Sequence, residues 1–146
     1  MKKYELTGEC KVYFGVTLRR IKSLIDFSDV KKGELGGFIE KEENLSHGGD
    51  AWVSGNARVY DDARVSGDAR VSGNADYVLI GRIGSRFGFT TFFRNKNNEI
   101  YVSCGCFLGT LAKFRKKVKE THGTDTKYAK VYQAAADLAE MQILNK

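Results

Sequence analysis

Residues 51–75 repeat one pattern of apolar and polar positions every six residues. Written in sixes, the stretch reads AWVSGN, ARVYDD, ARVSGD and ARVSGN, followed by Ala75. An alanine opens each hexad, a valine stands two positions later, and a Gly-Asx or Asp-Asp pair closes it. A repeat of fixed period predicts a repetitive architecture, because each repeat forms the same small unit and buries its apolar face against its neighbours.

The hexads resemble those of the hexapeptide-repeat family of left-handed β-helices. The predicted fold is therefore mainly β with C-terminal α: a short left-handed parallel β-helix of about two coils over residues 39–80. The alanines and valines would point inward, and the Gly-Asx pairs would form corners where positive φ is tolerated. A β-meander with six-residue spacing is the alternative.

A coil of about 18 residues predicts which side chains stack. Trp52 would lie beside Arg70 as a cation–π pair. Two further ladders are expected: Glu40 with Arg58 and Asp76, and Ser46 with Arg64 and Arg82. The second ladder would bring two arginines together without an acid. Ile39 and Leu45 would continue the alanine column backwards, which would place His47 in the valine column.

The flanking regions predict three domains in all, 1–38, 39–80 and 81–146. Residues 1–38 have the strand-like composition of an N-terminal β cap, which would cover the open end of the helix. Residues 87–93 and 100–107 predict a β-hairpin around an Asn-rich turn. Helical spacing begins at residue 108, and Gly123 separates two helices. The second helix would bury one stripe: Tyr128, Val131, Tyr132, Ala135, Leu138 and Met141.

Composition and charge narrow the class of protein. A hydrophobic content of 42% with 12% aromatic residues is typical of a globular chain. The chain contains no run of about 18 apolar residues, so no membrane-spanning helix is expected. The N-terminus lacks the apolar core of a signal peptide. A cytoplasmic protein is therefore expected. The net charge of +6 is concentrated in residues 81–146. This excess favours an anionic partner, although it would also serve solubility.

Few residues point to catalysis. His47 or His122 could act as a general base, but a rim histidine and a helix C-cap are the structural alternatives. Asp61 and Asp62 occupy a corner of the repeat and are interpreted as turn residues. The spacing Cys104-Gly-Cys106 is compatible with a metal or redox fragment, yet buried inert thiols fit it better. No metal and no cofactor are expected.

Arginines near the end of the repeat are the candidate ligand-binding residues. Arginine forks match phosphate geometry, and aromatic side chains interleaved with basic ones can stack on bases. The alternative is that these aromatics are core. The candidates are Arg64, Arg82, Arg86, Arg94, Trp52 and Arg70.

Nearly the whole chain resembles a family of small bacteriophage and prophage hexapeptide-repeat proteins of unsettled function. The resemblance rests on segments 33–40, 43–46, 83–85, 88–92, 104–107 and 121–123 and on the hexads. It implies an accessory protein that antagonises host defence in the host cytoplasm.

The predicted function is the sequestering of an anionic ligand, such as a nucleotide immune signal, at the subunit interface of a trimer or dimer. The alternatives are a hexapeptide-repeat acyltransferase and a module that blocks a host nucleic-acid-associated complex. Nucleic acid itself stays open as a ligand.

Overall fold

The chain forms two compact units, residues 1–74 and 75–146. The computed structural model describes residues 2–105 and 107–144. None of the helices in this described part is long and apolar enough to cross a membrane. The first unit contains two sheets and the second contains one, and the units are described separately below.

The first unit is built on a long β-hairpin. Strand β1 (Tyr4–Tyr13) pairs antiparallel with β2 (Val16–Ser23), and a register shift interrupts the ladder. β3 (Leu35–Ile39) pairs antiparallel with β2, and β5 (Arg58–Val59) adds parallel to β3. The result is a four-stranded sheet of order β1-β2-β3-β5.

A second, two-stranded sheet joins the first and last hexads. β4 (Trp52–Val53) and β6 (Arg70–Val71) pair in parallel, with Trp52 opposite Arg70. A short 3-10 helix, Glu42–Asn44, precedes this region.

The predicted left-handed parallel β-helix is wrong. In the described residues, parallel pairing is limited to two ladders of two-residue strands and one isolated bridge, whereas the long strands pair antiparallel in small sheets. The physical reason is length: four hexads fill little more than one coil of about 18 residues, so few of them find a neighbour to stack on.

The observed registers also correct the predicted ladders. Ile39 lies opposite Val59, and Leu45 opposite Val65. Both therefore align with the valines rather than the alanines, because eight positions instead of six separate Leu45 from Val53. His47 belongs to this two-residue expansion and not to the valine column.

Arg58 illustrates the consequence of this shift. Its Cα lies opposite Phe38, and its guanidinium lies 3.8 Å from the centre of the Tyr13 ring. Glu40 instead accepts a hydrogen bond from the backbone N–H of Asp61 at 2.7 Å. The register therefore places Glu40 out of line with Arg58, and it moves Ser46 out of line with Arg64 in the same way.

The burial of the hexads is as predicted. The alanines at 51, 57, 63 and 69 and the valines at 53, 59, 65 and 71 are all buried. Close packing also explains Gly36 in β3. A Cβ at this glycine would lie 2.6 Å from the Val53 carbonyl oxygen and 2.6 Å from Cγ1 of Ile21. Only a residue without a side chain lets β3 lie this close to β4.

The second unit is an antiparallel meander covered by two helices. Its strands are β7 (Tyr77–Ile83), β8 (Gly88–Arg94), β9 (Ile100–Cys104) and β10 (Phe107–Thr110). The predicted hairpin is confirmed as β8 and β9, which are the central strands of the order β10-β9-β8-β7.

Both predicted helices are present, but the first begins at Leu111 and not at residue 108, because residues 107–110 form β10. α1 (Leu111–His122) begins after Thr110, whose side-chain oxygen accepts the N–H of Lys113, and it ends before Gly123. α2 spans Lys127–Leu144. The predicted stripe of α2 is partly wrong, because Leu138 and Met141 are exposed. The helix instead buries Ala129, Ala135, Ala136, Ala139 and Ile143 against Phe92, Val102 and Phe114.

Candidate functional site

Trp52 and Arg70 each bury a nitrogen that has no hydrogen-bond partner within residues 2–105 and 107–144. They lie opposite each other on β4 and β6, so their side chains share one side of the two-stranded sheet. The unpartnered atoms are Nε1 of Trp52 and Nη1 of Arg70. Most buried polar groups in proteins are hydrogen-bonded, so two adjacent unpaired donors call for an explanation.

Lys3 adds a buried ammonium group to this place. Its Nζ donates to the Ala51 carbonyl at 2.5 Å and to the Gly49 carbonyl at 3.3 Å. Burial lowers the pKa of Lys3 to about 8, with Asp50 acting in the opposite direction and Arg70 adding to the decrease. We call Lys3, Trp52 and Arg70 the donor cluster.

A tight turn covers the donor cluster. The backbones of Phe27 and Val30 exchange two hydrogen bonds, at 2.9 and 2.8 Å, and so close the turn. The Phe27 ring meets the indole of Trp52 edge-on at 5.4 Å and lies 4.8 Å from the Lys3 ammonium. Asp29 pairs with Nη2 of Arg70 at 3.1 Å. Its own side chain is 85% exposed, so this carboxylate is held weakly.

The donor cluster is chemically suited to hold an anion. It presents an indole N–H, a guanidinium and an ammonium, and each of these groups donates hydrogen bonds. Guanidinium and ammonium groups bind oxyanions by charge-assisted hydrogen bonds.

Two of the six predicted ligand-binding residues are therefore brought together. The expected cation–π contact is not what joins Trp52 and Arg70, because the guanidinium pairs with Asp29 instead. Arg64 lies exposed in the same unit. It was predicted to stack with Arg82, a residue that belongs to the other unit.

The other three arginines lie in the second unit. Arg94 is an internal ion-pair partner: its Nε lies 3.0 Å from a carboxylate oxygen of the buried Asp76, and it also donates to the Ile143 carbonyl. This position leaves Arg94 poorly placed to meet a ligand. Arg82 and Arg86 are exposed near the turn between β7 and β8.

Both ring nitrogens of His47 are engaged. Nδ1 accepts the backbone N–H of Lys3 at 3.1 Å, so the ring proton lies on Nε2, which donates to Glu42 at 2.8 Å. This bond is the main cause of the lowered pKa of Glu42. A histidine used in this way ties the N-terminal strand to residues 42–47 and has no free nitrogen with which to act as a general base.

The remaining predicted chemistry is not assembled. His122 ends α1 and stacks on Tyr132, with ring centroids 5.7 Å apart. Cys104 is half-buried, and its Sγ lies 3.2 Å from the Thr90 hydroxyl. Cys10 is exposed, and Cys106, which was expected to be buried, lies outside the described residues. Across residues 2–105 and 107–144, no group of three His, Cys, Asp or Glu side chains could hold a metal ion.

Sequence reasoning missed Lys3 and the covering turn of Phe27 and Asp29. Lys3 is one of two adjacent N-terminal lysines, and only the register of β1 decides which of them is buried. No protein-family model matches the chain, and a search of curated proteins found no match either.

Proposed function

We propose that this is a non-catalytic binding protein whose donor cluster holds a phosphate-bearing small molecule, such as a nucleotide. The observation that carries the proposal is the pair of buried, unpartnered N–H groups on Trp52 and Arg70 beside the Lys3 ammonium. Each unsatisfied buried donor costs about 1–3 kcal/mol, a loss that a bound acceptor would recover.

The arrangement of donors supports phosphate over a neutral ligand. One nitrogen of Arg70 is already satisfied by the Asp29 carboxylate, which occupies the place of an anion at the edge of the donor cluster. An incoming phosphate would displace Asp29 and offer three oxygens to the three donors. Because the unpartnered nitrogens are covered, binding would also require the turn at Phe27–Val30 to move aside.

The resemblance to phage proteins extends this proposal to a biological role. A protein that sequesters a nucleotide immune signal would antagonise host defence without catalysis. The ligand site would lie at a subunit interface of a homo-oligomer, where a second copy could contact the nucleoside part of the ligand.

Isothermal titration calorimetry with inorganic phosphate and a panel of mono- and dinucleotides tests the proposal. Trp52→Phe keeps an aromatic ring but removes the N–H, and we expect it to weaken binding about 2- to 10-fold, as for one neutral hydrogen bond. Arg70→Gln should weaken binding about 10- to 100-fold, because it removes a charged donor.

Arg64→Gln is the matched control, since it removes the same charge from an exposed position in the same unit. We expect it to bind like the original protein. Binding that is unaffected by Trp52→Phe and Arg70→Gln, or no binding of any member of the panel, would contradict the proposal.

A further inference from the structure

The turn between β7 and β8 presents an exposed phenylalanine in an unfavourable backbone conformation. The turn comprises residues 84–87, and the N–H of Phe87 donates to the Gly84 carbonyl at 3.3 Å. Phe87 has a φ of 50°, and its side chain is 69% exposed. Glycine or asparagine adopts this conformation readily, whereas a bulky residue rarely does. Folding alone gives no reason for a phenylalanine here, which points to a binding role.

The turn packs against Tyr132 of α2. Gly84 has a φ of 80°, and a Cβ on it would lie 1.8 Å from the hydroxyl of Tyr132 in α2. The Tyr132 hydroxyl also bonds the backbone of Ser85. Tyr132 is itself held between Phe114 and His122 of α1. The exposed ring of Phe87 is therefore carried by a turn that is fixed on the helices.

Two exposed arginines lie in this turn or just before it. Arg82 is the extra residue at a register shift in β7, between the pairs formed by Gly81 and Ile83, and such bulges re-aim a side chain. Arg86 directly precedes Phe87. Both arginines are exposed, and neither has an ion-pair partner among the residues that the structure describes.

The charge of the second unit adds a second argument. Residues 1–74 contain 12 basic and 12 acidic residues, whereas residues 75–146 contain 12 basic and 6 acidic ones. The full net charge of +6 thus belongs to the unit that carries this turn. Its other two arginines are neutralised within the unit, Arg94 by Asp76 and Arg115 by Asp137 and Glu140.

We propose that the β7–β8 turn binds single-stranded nucleic acid. Phe87 stacks on an unpaired base, while Arg82 and Arg86 contact the neighbouring phosphates. An aromatic face requires an unstacked base, so a single strand fits the turn better than a duplex. This site is separate from the donor cluster, and its ligand is a polymer rather than a small molecule.

Fluorescence anisotropy of the full-length chain with a labelled oligothymidylate of about 12 nucleotides tests the proposal. Phe87→Asn is the key variant, because asparagine suits the backbone conformation and should leave the fold as stable as before or more so. We expect it to weaken binding roughly 5- to 150-fold, the range observed for loss of one base–aromatic stack.

A matched pair of charge variants isolates the turn from the general charge. Arg82→Gln with Arg86→Gln should weaken binding and reduce the slope of log affinity against log salt by about 1.4, as for two lost phosphate contacts on a single strand. Lys116→Gln with Lys117→Gln removes the same charge from the exposed face of α1 and should have a smaller effect.

Four results would overturn the proposal. These are an oligonucleotide that does not bind, a Phe87→Asn variant that binds as tightly as the original protein, a lysine pair that matters as much as the arginine pair, and a duplex that binds more tightly than the single strand. If vesicles of acidic lipid bind and the oligonucleotide does not, the turn is a membrane contact instead.

Discussion

The ring of Tyr4 stacks on the imidazole of His47, with centroids 4.2 Å apart and planes 14° from parallel. The Tyr4 hydroxyl donates to the Leu45 carbonyl at 2.7 Å, and burial raises its pKa. His47 in turn accepts the N–H of Lys3 and donates to Glu42. One stacked pair thereby fixes the start of β1, and with it the position of Lys3 in the donor cluster.

The Glu42–His47 contact predicts a loss of stability in acid. The pKa of Glu42 is lowered in the folded protein, mainly by the His47 hydrogen bond, from an ordinary value of 4.5. The contribution is therefore complete above about pH 4.5 and is lost as the pH falls through the lower folded pKa. Glu42→Gln should reduce the free energy of unfolding at pH 6 by about 0.5 kcal/mol and flatten its acid dependence.

Urea denaturation between pH 3 and pH 6 measures this effect. Glu43→Gln is the control, because Glu43 is an exposed neighbour and should keep the original acid dependence. Equal acid dependence for the original protein and Glu42→Gln would show that the contact contributes nothing.

Lys3 predicts a gain of stability in base. Its folded pKa is about 8 against an ordinary 10.5, so the unfolded chain holds more protons between these values. The free energy of unfolding should therefore rise with pH across this window. Between pH 7.5 and 9.5 we expect a rise on the order of 1 to 2 kcal/mol from this group. Lys3→Met should abolish the rise.

Chemical denaturation at these two pH values checks the prediction. Lys22→Met, which removes an exposed lysine from β2, should keep the rise. If Lys3→Met also keeps the rise in the free energy of unfolding, the pKa of Lys3 is not lowered in the folded protein. The donor cluster would then be less buried than inferred.

The sequence predicted which hexad residues are buried but not how the hexads pair. Alternation of alanine, valine and polar residues decides the inward face, and that face is correct at positions 51–71. Pairing depends on the number of residues between columns. The expansion around His47-Gly48-Gly49 changes this number by two, and nothing in the local composition marks it as an insertion rather than a turn.

The candidate site also combines a contact that the sequence predicts with contacts that it does not. Trp52 and Arg70 stand 18 positions apart within the regular part of the repeat, so their pairing could be predicted. Lys3 and Asp29 reach the same place from the N-terminal region, through a hairpin and a covering turn. Such long-range contacts depend on the strand register, which single-residue patterns do not reveal.

Gly36 predicts a steric limit in the core of the first unit. A Cβ there would lie 2.6 Å from the Val53 carbonyl oxygen and 2.7 Å from a ring carbon of Trp52. Gly36→Ala should therefore lower the free energy of unfolding by about 2 kcal/mol, as overpacking of a tight core does. Gly8→Ala is the matched control, since its Cβ would meet no atom within 4 Å. Equal stability of the two variants by thermal denaturation would refute this packing.

The ion pair of Arg94 predicts a large loss of stability in the second unit when this arginine is replaced. It neutralises Asp76, whose side chain is only 2% exposed. Arg94→Met leaves this carboxylate without its ion pair, and we expect a loss of about 3 kcal/mol or more in the free energy of unfolding. Arg82→Met removes an exposed arginine that has no ion-pair partner among the described residues, and it should change stability by less than about 0.5 kcal/mol. Similar urea midpoints for both variants would return Arg94 to the set of candidate ligand contacts.

Asp29 predicts competition at the donor cluster. Its carboxylate holds Nη2 of Arg70 in place of the proposed ligand, so Asp29→Asn should raise the affinity for phosphate and for nucleotides. The pair is exposed at Asp29 and worth at most about 1 kcal/mol, which limits the gain to about 5-fold. Asp62→Asn removes the same charge from a partly exposed 3.8 Å pair with Lys41 and should leave the affinity unchanged. Calorimetric titration of the two variants with phosphate distinguishes the cases. A weaker affinity in Asp29→Asn would mean that Asp29 supports the ligand site rather than occupying it.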